Sequence, residues 1–281
     1  MIRLLPLDQL SENQQSPEEA LAQFDAIGSS DLKEITGNEY ELFQSGTAAI
    51  RAIVEYLYLT WEDEVFITTT TGSSYVSTCV SATVFNYCKL SRVLTDKTKA
   101  IFVIHTYGFP HPELMSLRKT ANDLNIPLIE DCISSFDSYS ASGVRLGSIG
   151  DFAVYSLTKI FPFKYGGVLS FKERGIKGID DTVLYQQLKK WLPVVPELKK
   201  KRVSIYQTLK KNISTAIYAD DKNANPFMYG FNTLDFFSIQ QELAAEMELG
   251  RTHVAREVHI PINPFVRLES YLKIVHRWNQ K

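Results

Sequence analysis

The chain of 281 residues predicts an α/β fold, a mainly parallel sheet flanked by helices. Three observations carry this expectation. Short apolar runs of strand length recur at Val65-Phe-Ile67, Ala100–Ile104, Ile126–Asp131 and Phe152–Tyr155. Stretches with apolar residues three and four apart, at 45–58 and 114–124, have the period of amphipathic helices between them. Polar groups sit just past two of the strands, Asp131 after one and Ser156 and Lys159 after another. With 44% hydrophobic and 12% aromatic residues, a chain of this length can bury a substantial core, so disorder is excluded as its main character.

Taken in order, the N-terminus interrupts its apolar run at Pro6 and Asp8, which argues against a signal peptide or membrane span. Ser11–Pro17 is polar and reads as a surface lead-in. Ser45-Gly46-Thr47 opens a helix whose inner face is Ala49, Ile50, Ile53, Val54, Leu57 and Tyr58. Free amides at a helix start attract phosphate, Gly46 lets the backbone approach it, and the Thr47 hydroxyl adds a donor. The plainer reading of the same tripeptide is an ordinary Ser45 N-cap. Leu114, Leu117, Ala121 and Leu124 mark the next helix. After Gly167 the pattern turns helical and basic through about Ile217. There Lys199-Lys-Lys-Arg202 reads as the solvated face of a helix between Pro196 and Asn212, in preference to a binding patch. Residues 219–226 read as a loop.

The chemistry lies at the strand ends, where open α/β sheets bind ligands. A carboxylate against a pyridine nitrogen keeps that ring protonated and able to absorb the electrons of a carbanion, while a lysine supplies a nucleophilic amine and moves protons. Asp131 and Lys159 suit those two roles in pyridoxal phosphate (PLP) chemistry. Each alone has a plainer explanation: a turn or cap residue for Asp131, a snorkelling surface side chain for Lys159.

Four blocks in sequence change that balance: Ser45-Gly-Thr-Ala-Ala, Thr98 through His105-Thr-Tyr-Gly108 to Pro110, Ile129-Glu-Asp131, and Gly150-Asp151 through Lys159 to Gly166-Gly167. A fifth, Tyr229-Gly-Phe-Asn232, is weaker. In this order they resemble the DegT/DnrJ/EryC1/StrS family of PLP-dependent sugar aminotransferases, a branch of the type I PLP-transferase fold. The resemblance implies an aminotransferase moving an amino group from an amino acid such as glutamate to a nucleotide-linked keto-sugar. It implies Lys159 as the covalent anchor of the cofactor, with Lys164 as a competitor, and Asp131 at the ring nitrogen. Gly46, Thr47 and Ser156 are implied at the phosphate and Tyr75 stacked on the ring. Asn232 is implied as reaching the phosphate of the neighbouring subunit in a homodimer. Other PLP reactions, a sugar dehydratase or a lyase, and a non-catalytic binding or regulatory relative remain alternatives.

Departures from the family pattern are equally specific. Ser134 stands where many members place a glutamine on the cofactor's phenolic oxygen, and Leu234 where an arginine is usual. The stretch Val84–Val93 is short for the strand and connection expected there. Only 49 residues, 233–281, follow Asn232, so the expectation is either a rudimentary small domain with an unusually open site or a site covered by a neighbouring subunit. Ile260-Pro-Ile-Asn-Pro264 is similar to that domain's final segment. The division expected is a large PLP-binding α/β domain at 1–215 and a shortened C-terminal segment at 216–281.

Net charge is −2, from 30 basic and 32 acidic residues, which gives no general pull towards nucleic acid or membrane. Three cysteines, 79, 88 and 132, without Cys-x-x-Cys spacing, suit a reducing, cytoplasmic setting. The five histidines show no metal-binding spacing and no obvious carboxylate cluster around them, so no metal site is expected. His105 is read as structural, bonded to a neighbouring loop, in preference to an acid-base role.

Overall fold

The computed structural model describes residues 21–279, apart from 23, 74–75, 174, 214, 219–222, 234–256 and 267. Seven strands form the main sheet: β1 (Glu39–Phe43), β2 (Glu64–Thr69), β3 (Lys89–Ser91), β4 (Thr98–Ile104), β5 (Leu128–Asp131), β6 (Phe152–Ser156) and β7 (Gly167–Phe171). Their spatial order is β1-β7-β6-β5-β4-β2-β3. The pairs from β3 to β6 are all parallel, whereas β7 is antiparallel to both β6 and β1. The sheet is therefore mainly parallel, as expected.

Two strands differ from the sequence reading. The helical pattern expected after Gly167 is delayed by β7, whose five residues are all buried. Such a run, covered on both faces, carries no period-two signal. Edge strand β1 begins Glu39-Tyr40-Glu41, only partly buried, so its composition looks like loop. The short connection at Val84–Val93 does contain a strand, the three-residue β3.

Helices cover both faces. They are α1 (Leu32–Thr36), α2 (Gly46–Tyr56), α3 (Thr78–Phe85), α4 (Leu114–Leu124), α5 (Leu157–Ile160), α6 (Thr182–Trp191), α7 (Val195–Asn212) and α8 (Leu268–Asn279). Alternation along β4 divides the core in two. Ile101 and Val103 join Leu114, Leu117 and Ala121 of α4, whereas Ala100 and Phe102 join Ile50, Ile53 and Val54 of α2. Helices α4 and α2 thus each bury one apolar stripe against opposite faces of the sheet.

A third cluster lies in the C-terminal part. β8 (Met228–Asn232) and β9 (Glu257–Pro261) pair antiparallel and pack Tyr229, Phe231, Val258 and Ile260 with Leu209 of α7 and Tyr271 of α8. Phe109, which follows β4, belongs to the same cluster and ties it to the main sheet.

Candidate active site

Parallel strands bring their carboxyl ends to one rim. Asp131 ends β5, Ser156 ends β6 beside it, and α5 starts at the next residue, so Lys159 lies within one turn of the rim. The start of α2 arrives at the same place. Ser45 caps that helix through its hydroxyl, which accepts from the Ala48 amide at 3.1 Å, so the plainer reading of this serine is correct. The amides of Gly46 and Thr47, ahead of that bond, have no acceptor within the helix.

Glycine is required here by contact. A Cβ on Gly167 would lie 2.3 Å from the Ser45 carbonyl carbon and 2.5 Å from the Gly46 nitrogen. Gly166, at φ 122°, donates to Gln44 and accepts from Leu157. The Gly166-Gly167 pair thus binds the α2 turn and the α5 turn into one unit. A Cβ on Gly46 would stand 3.3 Å from Ile133 and 3.5 Å from the Ser156 Cβ. These three residues form a cradle at the helix start, with the Ser156 hydroxyl 3.2 Å from that of Thr158.

Asp131 and Lys159 face each other electrostatically. Burial raises the Asp131 carboxyl above its ordinary range, opposed by the Ile133 amide at 2.9 Å and by the charges of Lys159 and His105. Burial lowers the Lys159 amine, opposed by Asp131 and by Cys79 of α3. Lys159 Nζ lies 5.8 Å from the ring centre of Phe227. Lys164, by contrast, is exposed.

The other expected site residues are placed as follows. Ser134 is buried just beyond β5, and Thr47 is half-buried at the α2 start. Asn232 is exposed at the end of β8, its backbone tied to Thr215. Tyr75 and Leu234 lie outside the described residues.

His105 requires a correction, because a carboxylate does sit beside it. Its Nε2 is 2.9 Å from Glu130, and both side chains are fully buried. Nδ1 accepts from the His111 amide at 3.0 Å, so Nε2 carries the proton and donates it to Glu130. With Cys132 the two residues make a trio whose ligand atoms lie within 4.8 Å. Both imidazole nitrogens are occupied by these bonds, and so are the Glu130 oxygens. The trio is a structural strut rather than an open metal site.

Arg202 went unrecognised in the sequence. Read as part of a solvated basic face, it is 1% exposed. Its Nη2 donates to the carbonyls of Lys159 at 3.2 Å and Ile160 at 3.4 Å. The available signal was periodicity, since Leu198, Arg202, Ile205 and Leu209 all occupy the buried stripe of α7. The remaining cations of the run are also engaged. Lys199 donates to the carbonyls of Asp137 and Asn223, and Lys201 lies over the Phe24 ring.

Residues 29–177 match the profile of the DegT/DnrJ/EryC1/StrS aminotransferase family. The chain belongs to this family. A dTDP-3-amino-3,6-dideoxy-alpha-D-galactopyranose transaminase of Aneurinibacillus thermoaerophilus is 37% identical over 68 residues, 24% of this chain and 18% of that protein. The match thus spans less than a fifth of that relative's length. The fold similarity extends much further than the sequence similarity. A DegT/DnrJ/EryC1/StrS aminotransferase of Brucella abortus superposes with a TM-score of 0.73 at 13% identity, over 93% of both chains. NtdA of Bacillus subtilis, solved with bound cofactor PMP, superposes at 0.61 with 15% identity, over 91% of this chain and 77% of that one. These likenesses establish the type I PLP-transferase fold. Among the described residues, no helix is long and apolar enough to cross a membrane.

Proposed function

We propose that the chain is a PLP-dependent aminotransferase acting on a nucleotide-linked keto-sugar, with an amino acid of the glutamate kind as donor. The observation that carries the reading is the meeting of the Asp131 carboxylate and the Lys159 amine at one rim, beside the free helix start at Gly46. The sugar and its nucleotide rest on what the relatives are named for.

The residues fit the cofactor. Gly46, Thr47 and Ser156 would hold a phosphate, because the amides at the start of α2 are unbonded within the helix and Gly46, without a Cβ, sits beside Ser156. Asp131 would pair with the ring nitrogen, and Lys159 would bond the aldehyde carbon. Bound there, PLP supplies an electron sink that lets an amino group pass from the amino acid to the ketone.

The protein's own part follows from its electrostatics. Burial lowers the Lys159 pKa, so a larger share of the amine is neutral near pH 7, able to act as nucleophile and then to take the proton from the donor's α-carbon. Asp131, ionised when it faces a cation, keeps a positive charge fixed at that point of the site. His105 is already committed to Glu130 and the His111 amide, which leaves proton movement to Lys159.

Ser134 would reach the cofactor's phenolic side, and Tyr75 would cover the ring. We read 1–215 as the cofactor-binding part and 216–281 as its C-terminal cover. The reading includes a homodimer in which Asn232, exposed at the end of β8, reaches the partner's site. Mixing inactive Lys159→Ala and Asn232→Ala chains under exchanging conditions should restore activity in the hybrid. A strictly monomeric active protein would remove the shared site.

The deciding experiment is borohydride reduction of the PLP-loaded protein with peptide mapping. The label is expected on Lys159, and Lys159→Ala should lose it together with at least on the order of 10³-fold in turnover. Conversion of the loaded protein by a panel of amino acids should yield the matching 2-oxo acids. A labelled lysine that no amino acid ever discharges would favour the binding-module reading.

A further inference from the structure

Arg202 is a buried cation with no carboxylate partner among the described residues. Among the described residues Nε and Nη1 have no hydrogen-bond partner, and burial lowers the guanidinium pKa to about 10, leaving it charged at neutral pH. A buried charge with unsatisfied donors costs stability, so packing alone does not account for it. Its two bonds go to the carbonyls of Lys159 and Ile160, the last two residues of α5. Those carbonyls lack intrahelical acceptor bonds, and a cation is favoured there. The Phe227 ring completes the arrangement, with Lys159 Nζ at 5.8 Å and the Arg202 guanidinium carbon at 5.9 Å from its centre.

We infer that Arg202 is a positioning residue for Lys159: it clamps the end of α5 so that the lysine amine is held beside Phe227 and Asp131. The inference rests on the reading of Lys159 as the reactive lysine. It couples α7 and the C-terminal segment to the chemistry, because Arg202 comes from α7, Phe227 immediately precedes β8, and Tyr271 of α8 interacts electrostatically with Arg202. Loosening the clamp hydrates the amine further, which moves its titration up towards that of an ordinary lysine. The other groups facing Lys159, Asp131 from β5 and Cys79 from α3, stay in place.

The test uses the protein without cofactor, so that it stands apart from the PLP reading. Trace acylation across a pH series, with an added amine standard and peptide mapping, gives the titration of Lys159 directly. Arg202→Met should melt cooperatively at an unchanged or higher midpoint, having lost an orphaned charge. Its Lys159 midpoint should rise by about one unit, a tenfold loss of neutral amine at fixed pH. Arg202→Lys, which keeps the charge and a donor, should recover at least half of that shift. A folded Arg202→Met with the wild-type Lys159 profile overturns the inference. If that variant fails to fold, Arg202→Gln decides, with a smaller shift in the same direction expected and no shift counting against it. If no variant folds, Arg202 is a folding residue and the inference is withdrawn. Borohydride mapping of wild type separates the two readings, since a label elsewhere would sink the Lys159 assignment while leaving the acylation result interpretable.

Discussion

Glu130 and Asp131 are adjacent on β5, both buried, and they point to opposite faces of the sheet, where the protein treats them in opposite ways. Glu130 accepts four bonds: from His105 at 2.9 Å and from the amides of Gly147 at 2.8 Å, Ile149 at 2.9 Å and Gly150 at 2.6 Å. These donors outweigh its burial and hold its pKa below the ordinary value. Among the described residues Asp131 accepts one amide, from Ile133, and its pKa is raised by burial. A saturated carboxylate organises backbone, here the loop before β6. An under-satisfied one is available to something else, and Lys159 is its nearest charged partner by effect. The contrast separates a structural face from a chemical face on a single strand.

The largest effect expected from this contrast is on folding. Glu130→Ala removes the acceptor of three amides and one imidazole, all buried, and should cost about 3–5 kcal/mol in urea unfolding. A variant within about 1 kcal/mol of wild type would show that this face is not structural. Asp131→Ala should do the reverse. Removing a carboxylate that accepts a single amide should cost clearly less stability than Glu130→Ala, while amino transfer falls on the order of 10²–10³-fold. Loss of fold without selective loss of turnover would erase the distinction between the two faces.

Much of the chemical face was legible in the sequence, because a strand end, a helix start and a close-packed glycine pair each leave a local trace. The parallel strands β2 and β4 to β6 were readable in that way, whereas Asp131, Gly46 and Lys159 each had a plainer local reading and, with Ser156, became site candidates only through the order of the blocks that resemble the family. What escaped notice depends on tertiary pairing. The fully covered β7 and the edge strand β1 carry no clear alternation. Arg202 sits in a basic run whose composition says solvent while its helical phase says core. The Glu130–His105 pair joins residues 25 apart in sequence, so no spacing announces it. Motif reading finds groups that meet a ligand. It overlooks those that hold such groups in place.

The structural face also sets a pH limit. His111 donates its amide to His105, accepts from the Glu113 amide on Nδ1, and lies 3.0 Å from Thr68 through Nε2. Burial and the neighbouring His105 lower its pKa from 6.5 to about 4. A histidine depressed in the folded state contributes stability above its unfolded value, and that contribution is lost as pH falls from about 6.5 towards 4. The loss amounts to about 3 kcal/mol. Asp131 has the opposite sign, since its raised pKa makes its burial easier as it protonates. Thermal melts from pH 7 to pH 4 should fall more steeply in wild type than in His111→Gln. Parallel curves would place the acid sensitivity elsewhere.

The smallest effect should come from Lys164, the competing amine five residues further along. It lies in a bend beyond the end of α5, and its side chain is exposed. Lys159 instead sits inside α5, fixed at one end by the Leu157 bond to Gly166 and at the other by Arg202. An exposed lysine without packing contributes little, so Lys164→Ala should stay within about 0.5 kcal/mol of wild-type stability. It should also retain full covalent cofactor labelling and turnover. The measurement is the same borohydride map, made in parallel on Lys159→Ala and Lys164→Ala. A label that disappears with Lys164 and persists without Lys159 would move the chemistry to the exposed bend. It would also detach that chemistry from the Asp131 face of β5, and with it the physical basis for telling the two faces apart.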